Sequence, residues 1–155
     1  MPAFPGVQPA STNVSADSAS TPPGASPQHL GPFVVRVEAG EADSFRRETG
    51  GRAGRIPFTF PVRWFAHPEL RAAAARMMGE AAWVPIHESQ SFDYRRPLES
   101  NVDYRMSVEM SREAKPPRLI LRAEVVAGED ELCLTAEMIL RIVSMEQVDA
   151  CEGAP

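Results

Sequence analysis

From residue 102 to 143 the chain alternates apolar and polar positions with a period of two, the pattern of strands with one buried face. Val102, Tyr104, Met106, Val108 and Met110 share one side, and Asp103, Arg105, Ser107 and Glu109 the other. Lys115-Pro116-Pro117 then turns the chain. A second strand runs from Arg118 to Val126, with Leu119, Leu121, Ala123 and Val125 on one face. Gly128-Glu129-Asp130 is a tight reversal. The last strand, Glu131 to Val143, has Leu132, Leu134, Ala136, Met138, Leu140 and Ile142 on one face. Strands of this kind build an antiparallel sheet covered on one side.

Upstream, the period changes. In Pro68 to Gly79, Leu70, Ala73, Ala74, Met77 and Met78 recur at helical spacing and form one apolar stripe. Pro68 suits the first helical position, Glu69 complements the N-terminal dipole and Gly79 can end the helix. Its alanines allow a sheet to come close. A shorter helix is expected from Glu41 to Thr49, with Ala42 and Phe45 facing inward and Gly50-Gly51 as the stop. Phe33 to Glu38 reads as the first strand, and Ile86 to Leu98 as a strand running into a turn. Between the helices lies an aromatic stretch, Ile56 to Phe65. Its two prolines argue against a helix and against a central strand. An extended cover over the core is the expectation, with an apolar ligand tunnel as the alternative.

Residues 1–32 contain seven prolines and one charged side chain, Asp17. Such a segment buries too little apolar surface to offset its ordering entropy, so it reads as a disordered leader. The expected layout is leader 1–32, one folded domain 33–144 and a flexible tail 145–155. Strand, helix, cover, helix and then four strands is an α+β pattern, a single helix-on-sheet domain. The 16 basic side chains are scattered and outnumbered by 21 acids, giving a net charge of −5, which excludes a nucleic-acid surface. No run approaches the roughly 18 apolar residues of a membrane span, and no secretory signal is visible. Cys133 and Cys151 lack metal-ligand spacing, and the three histidines are dispersed, so no metal and no cofactor is expected. A cytoplasmic protein is the default.

One stretch adds a family. His87, Gln90, Phe92, Tyr94, Arg96, Pro97 and Leu98 follow a spacing close to His-x-x-Gln-x-Phe-x-Tyr-x-Arg-Pro-Leu. In this, in Pro57-Phe58-Thr59-Phe60 and in the Thr49-Gly50 helix end, residues 33–143 resemble the MaoC-like branch of the hot-dog superfamily. That resemblance implies a curved antiparallel sheet wrapped around a central helix, acyl-thioester ligands (acyl-CoA or acyl carrier protein) and dimers. Active members of the branch hydrate enoyl thioesters or dehydrate 3-hydroxyacyl thioesters, with Asp and His in a Thr-Gly-Asp-x-x-x-x-His pattern. The pairing makes chemical sense, because a carboxylate and an imidazole can divide the acid and base roles. Here Thr49-Gly50 matches, but Gly51 stands at the Asp position and Ile56 at the His position. Neither side chain can move a proton.

The remaining catalytic candidates are His67, His87 and Glu88, with Glu69 and Glu80 beside the helix. By strand parity Glu88 shares a face with Ile86, Phe92 and Tyr94, where its pKa should rise unless a bulge turns it outward. His67 can instead simply cap the helix. Phe58, Phe60 and Trp64 are the candidates for an acyl-binding wall. Three functions follow: the non-catalytic subunit of a dehydratase or hydratase, paired with another hot-dog chain; a stand-alone thioesterase; or a homodimeric binding protein without turnover.

Overall fold

The computed structural model describes residues 26–79 and 83–146. The chain runs β1 (Gln28–Arg36), α1 (Ala39–Thr49), a 3-10 helix (Phe60–Ala66), α2 (Pro68–Met78), β2 (Trp83–Tyr94), β3 (Asp103–Ala114), β4 (Pro117–Ala127) and β5 (Glu131–Ser144). All five strands form one antiparallel sheet in the order β1-β3-β4-β5-β2. The expected α+β class, a curved sheet against a central helix, is the observed one. Among the described residues no helix is long and apolar enough to cross a membrane.

Topology explains where α2 must go. β1 and β2 occupy opposite edges of the sheet, so the chain between them has to cross a face. In that connection α2 carries an apolar stripe, and it turns inward: Leu70, Ala73 and Met77 are buried, Ala74 and Met78 are half-buried, and Arg71, Ala75 and Arg76 are exposed. Each fully buried aliphatic side chain of this kind contributes about 1.5–3 kcal/mol. The helix starts at Pro68 and stops at Gly79, whose φ of 87° is left-handed territory. Arg112 of β3 donates to the Met77 carbonyl at 2.9 Å, tying the helix end to the sheet.

The opposing sheet face is the one the alternation marks. Tyr104, Met106, Val108 and Met110 of β3 and Leu119, Leu121, Ala123 and Val125 of β4 are all buried. Tyr104 buries its ring while its hydroxyl accepts from the Glu99 backbone N–H at 2.8 Å.

Two expectations change. β1 begins at Gln28, five residues before Phe33, because Gln28 to Leu30 pair with Val108 to Met110. Gly31-Pro32 resembles a break in the sequence, yet these two residues between Leu30 and Phe33 oppose the single residue Ser107 between Val108 and Met106. That extra residue is a bulge, and an edge strand tolerates both bulge and proline. Gly31 is obligatory there: its φ is +94°, and a Cβ would lie 2.7 Å from the Met106 carbonyl oxygen. Second, Phe60–Ala66 is helical rather than extended. Pro61 sits within the first turn, where a missing N–H leaves nothing unsatisfied. The helical turn buries Phe60, Trp64 and Phe65 together. Of the expected leader, residues 1–25 lie outside the described residues, as do 147–155 of the expected tail, Cys151 included.

Candidate functional site

A cavity of about 1060 Å³ opens between the loop that follows α1 and the end of β2. Ile56, Pro57, Phe58, Tyr94 and Leu98 supply apolar wall, and Arg52, Arg55 and Glu99 supply charge. Its size and mixed lining suit an organic ligand. The loop begins where α1 ends: Gly50 adopts φ 72°, and the Gly51 N–H donates to the Arg46 carbonyl at 3.0 Å. The opposite wall is held by Tyr94, whose hydroxyl donates to the Phe58 carbonyl at 2.7 Å. Burial pushes the Tyr94 phenol up to about 12, so at neutral pH it remains a donor. The Phe58 and Tyr94 rings meet edge to face, 5.4 Å apart.

Gly51 and Ile56 both line this cavity. The structure therefore brings together the two positions singled out by the sequence resemblance, and leaves them without acid or base. A Cβ at Gly51 would come within 3.0 Å of Arg46 Cγ, so the aliphatic stem of Arg46 occupies the space a larger residue would use.

The other sequence candidates lie elsewhere. His67 is the N-cap of α2: its Nδ1 accepts from the Glu69 N–H at 3.4 Å, and its ring stacks on Phe33 at 4.2 Å. Glu69 is exposed in the first turn of α2, and Glu80 lies outside the described residues. Of the three aromatic candidates, Phe58 lines the cavity and is 67% exposed, whereas Phe60 and Trp64 are buried core. Phe60 meets Phe45 edge to face, and Trp64 donates its indole N–H to the Arg36 carbonyl at 3.4 Å.

His87 and Glu88 correct the parity argument. The β2–β5 register shifts between His87 and Ser89. Before the shift His87 opposes Leu140, and after it Gln90 opposes Met138, Phe92 opposes Ala136 and Tyr94 opposes Leu134. Residues opposite each other share a face, so His87, not Glu88, lies on the face of Phe92 and Tyr94. Glu88 is the bulged residue and turns toward the arginines of the outer face. Arg118 donates through Nε at 2.9 Å and again through Nη2, and Arg141 donates through Nε at 3.0 Å. These hydrogen bonds hold the carboxyl at about 2, the opposite of the expected rise. Glu88 is an ionised strut across β4, β5 and β2.

Sequence reasoning passed over Arg52, Arg55 and Glu99. Among the described residues that line the cavity, Glu99 is the one carboxylate and there is no histidine. No periodicity marks loop residues of this kind. The Gly-rich run around Arg52 and Arg55 was the available signal, and Glu99 had none.

No family model and no curated protein matches the sequence. Solved structures do match the fold. The C-terminally truncated HadBC complex of Mycobacterium tuberculosis, a 3R-hydroxyacyl-ACP dehydratase, aligns over 75% of this chain and 95% of that one, with a TM-score of 0.56 and 15% identity. A hot-dog-like protein from Thermanaerovibrio acidaminovorans aligns over 83% and 88%, with 0.55 and 12%. The fold is the hot dog. The fluoroacetyl-CoA thioesterase FlK matches it over 84% of this chain and 96% of its own, with a TM-score of 0.57 and 12% identity. Hot dogs of this shape thus include a dehydratase and an acyl-CoA thioesterase, and the chemistry has to be argued from the cavity of this chain.

Proposed function

We propose that this hot-dog protein binds acyl thioesters as the non-catalytic subunit of a MaoC-like 3-hydroxyacyl-thioester dehydratase or enoyl-thioester hydratase. One observation carries the reading. Gly51 and Ile56 both line the large, partly apolar cavity, yet neither can exchange protons. A binding surface without an acid–base pair fits a subunit that shapes the acyl site while a second hot-dog chain supplies the Asp and the His. The HadBC likeness supports it, since that dehydratase is a complex. A cytoplasmic place in acyl-chain metabolism belongs to the same reading.

The test is the native mass of tagged protein from its own host, with any co-purifying chain sequenced. A second hot-dog chain with an intact Asp-x-x-x-x-His, and turnover only by the pair, is the expected result. A homodimer without such a partner would sink the reading. It would turn attention to Glu99, the cavity carboxylate, as the water-activating base of a thioesterase, with Glu99→Gln abolishing hydrolysis. A homodimer that binds thioesters without turnover would mark a pure binding protein.

A further inference from the structure

We propose that Tyr94 and Phe58 form a clasp between the two walls of the cavity and make it selective for slender, straight-chain acyl groups over broad ones. The inference rests on the acyl-thioester reading above and deepens it, naming the class of acyl group and the residues that select it.

The two walls are held differently. One is anchored in the sheet. Tyr94 is the last residue of β2 and pairs with Leu134, which is fully buried. The chain beyond it is pinned by the Arg95 and Arg96 N–H groups, which donate to the Cys133 carbonyl at 2.8 and 3.2 Å, and by the buried Leu98. The other wall is the loop from Gly51 to Thr59. It is fastened near its two ends, by the Gly51 N–H on the Arg46 carbonyl at 3.0 Å and the Phe60 N–H on the Pro57 carbonyl at 2.9 Å. Between these anchors Arg52, Ala53, Gly54 and Arg55 are all exposed, so their burial does not hold the loop at a fixed distance from the sheet. Segments with few buried apolar contacts are the ones that open most readily.

Tyr94 and Phe58 join the two walls. The Tyr94 hydroxyl donates to the main-chain carbonyl of Phe58, so the bond fixes the loop backbone and not merely a side chain. The two rings meet edge to face beside it. Of the large apolar side chains left exposed among the described residues, Val34, Phe58, Ile86 and Met145, Phe58 alone lines the cavity. Its ring therefore borders ligand space rather than core. With the clasp closed, the separation of the walls is set by this pair. An unbranched chain can lie along Ile56, Pro57 and Leu98 without disturbing it. A branched or aryl group has to part the pair and forfeit both the hydrogen bond and the ring contact.

The test titrates the full chain, with any co-purifying partner, against three pantetheine thioesters: n-octanoyl, its branched isomer valproyl, and phenylacetyl. Expected is at least about tenfold tighter binding of the octanoyl thioester than of the two broad ones, the scale of one hydrogen bond. Tyr94→Phe keeps the ring and deletes the hydroxyl. It should shrink that preference severalfold by improving the binding of the broad ligands, and hydrogen exchange of the loop amides should quicken while the amides of β3 stay protected. Phe58→Ala should abolish the preference. Phe58 is exposed, so this variant keeps the test decisive even if Tyr94→Phe is unstable. A merely structural hydrogen bond would weaken all three ligands alike and leave their ratio unchanged. Equal binding of the three by the wild type, or a preference that survives both variants, overturns the clasp while leaving the thioester reading intact. Failure of every thioester to bind sinks both.

Discussion

The middle and the end of β2 separate properties that an active site has to unite. Around Glu88 the strand carries titratable groups, but they are consumed by structure: Arg118 and Arg141 clamp one carboxylate and keep it ionised. Around Tyr94 the strand borders a cavity of about 1060 Å³, but the positions that the sequence resemblance marks for an acid and a base hold Gly51 and Ile56. Charge without space in the middle of the strand, and space without an Asp–His pair at its end, is what the binding-subunit proposal rests on. A perturbed pKa marks function only when the group also faces a site. Glu88 is perturbed by structural ion pairs.

That contrast can be broken by supplying the missing chemistry. Gly51→Asp with Ile56→His should raise hydration of an enoyl thioester by about 10²-fold or more over the parent chain, the scale of general acid–base catalysis. Arg46 must shift its stem by a few tenths of an ångström to admit the new Cβ. A steady-state assay checks it, and a flat result would mean that the cavity does not present a thioester to these positions.

Next in size is Phe60→Ala. Phe60 is fully buried behind the cavity loop, so its removal should cost about 3–5 kcal/mol by thermal or urea unfolding. Loss of ligand binding with unchanged stability would instead make Phe60 part of the acyl wall and blur the line between core and cavity.

The smallest effect concerns Glu88→Gln. The native carboxyl lies near 2, below its ordinary 4.5, so it binds protons less readily folded than unfolded. Its contribution is present above about 4.5 and fades as the pH falls toward 2. Wild-type protein should therefore lose stability in that acid window more steeply than the Gln variant, while turnover by any reconstituted pair stays unchanged. Melting curves across that range check the first claim. A loss of turnover would restore Glu88 as a catalytic group.

Much of this architecture was legible because its signals are local. The inward face of β3 follows from period-two alternation, and the inward stripe of α2 from helical spacing. Each depends only on which residues are apolar. That Gly51 and Ile56 carry neither acid nor base follows likewise from residue type. The 3-10 turn at Phe60–Ala66 was harder, because proline excludes a helix only from its interior, and the gain came from burying three aromatics at once.

Other features depend on pairing between distant segments. Whether β1 starts at Gln28 is decided by β3, some eighty residues away, which offers partners to Gln28, His29 and Leu30. Which face receives Glu88 is decided by one extra residue against β5, and a one-residue slip reverses every side chain on one side of it. Arg52, Arg55 and Glu99 belong to loops without periodicity, and they border one cavity only because the sheet brings the end of β2 beside the end of α1. Alternation and residue chemistry were therefore set by the chain itself. Register, and the company each charge keeps, came from long-range packing, because a strand's partner and a loop's neighbour are not encoded in its own few residues.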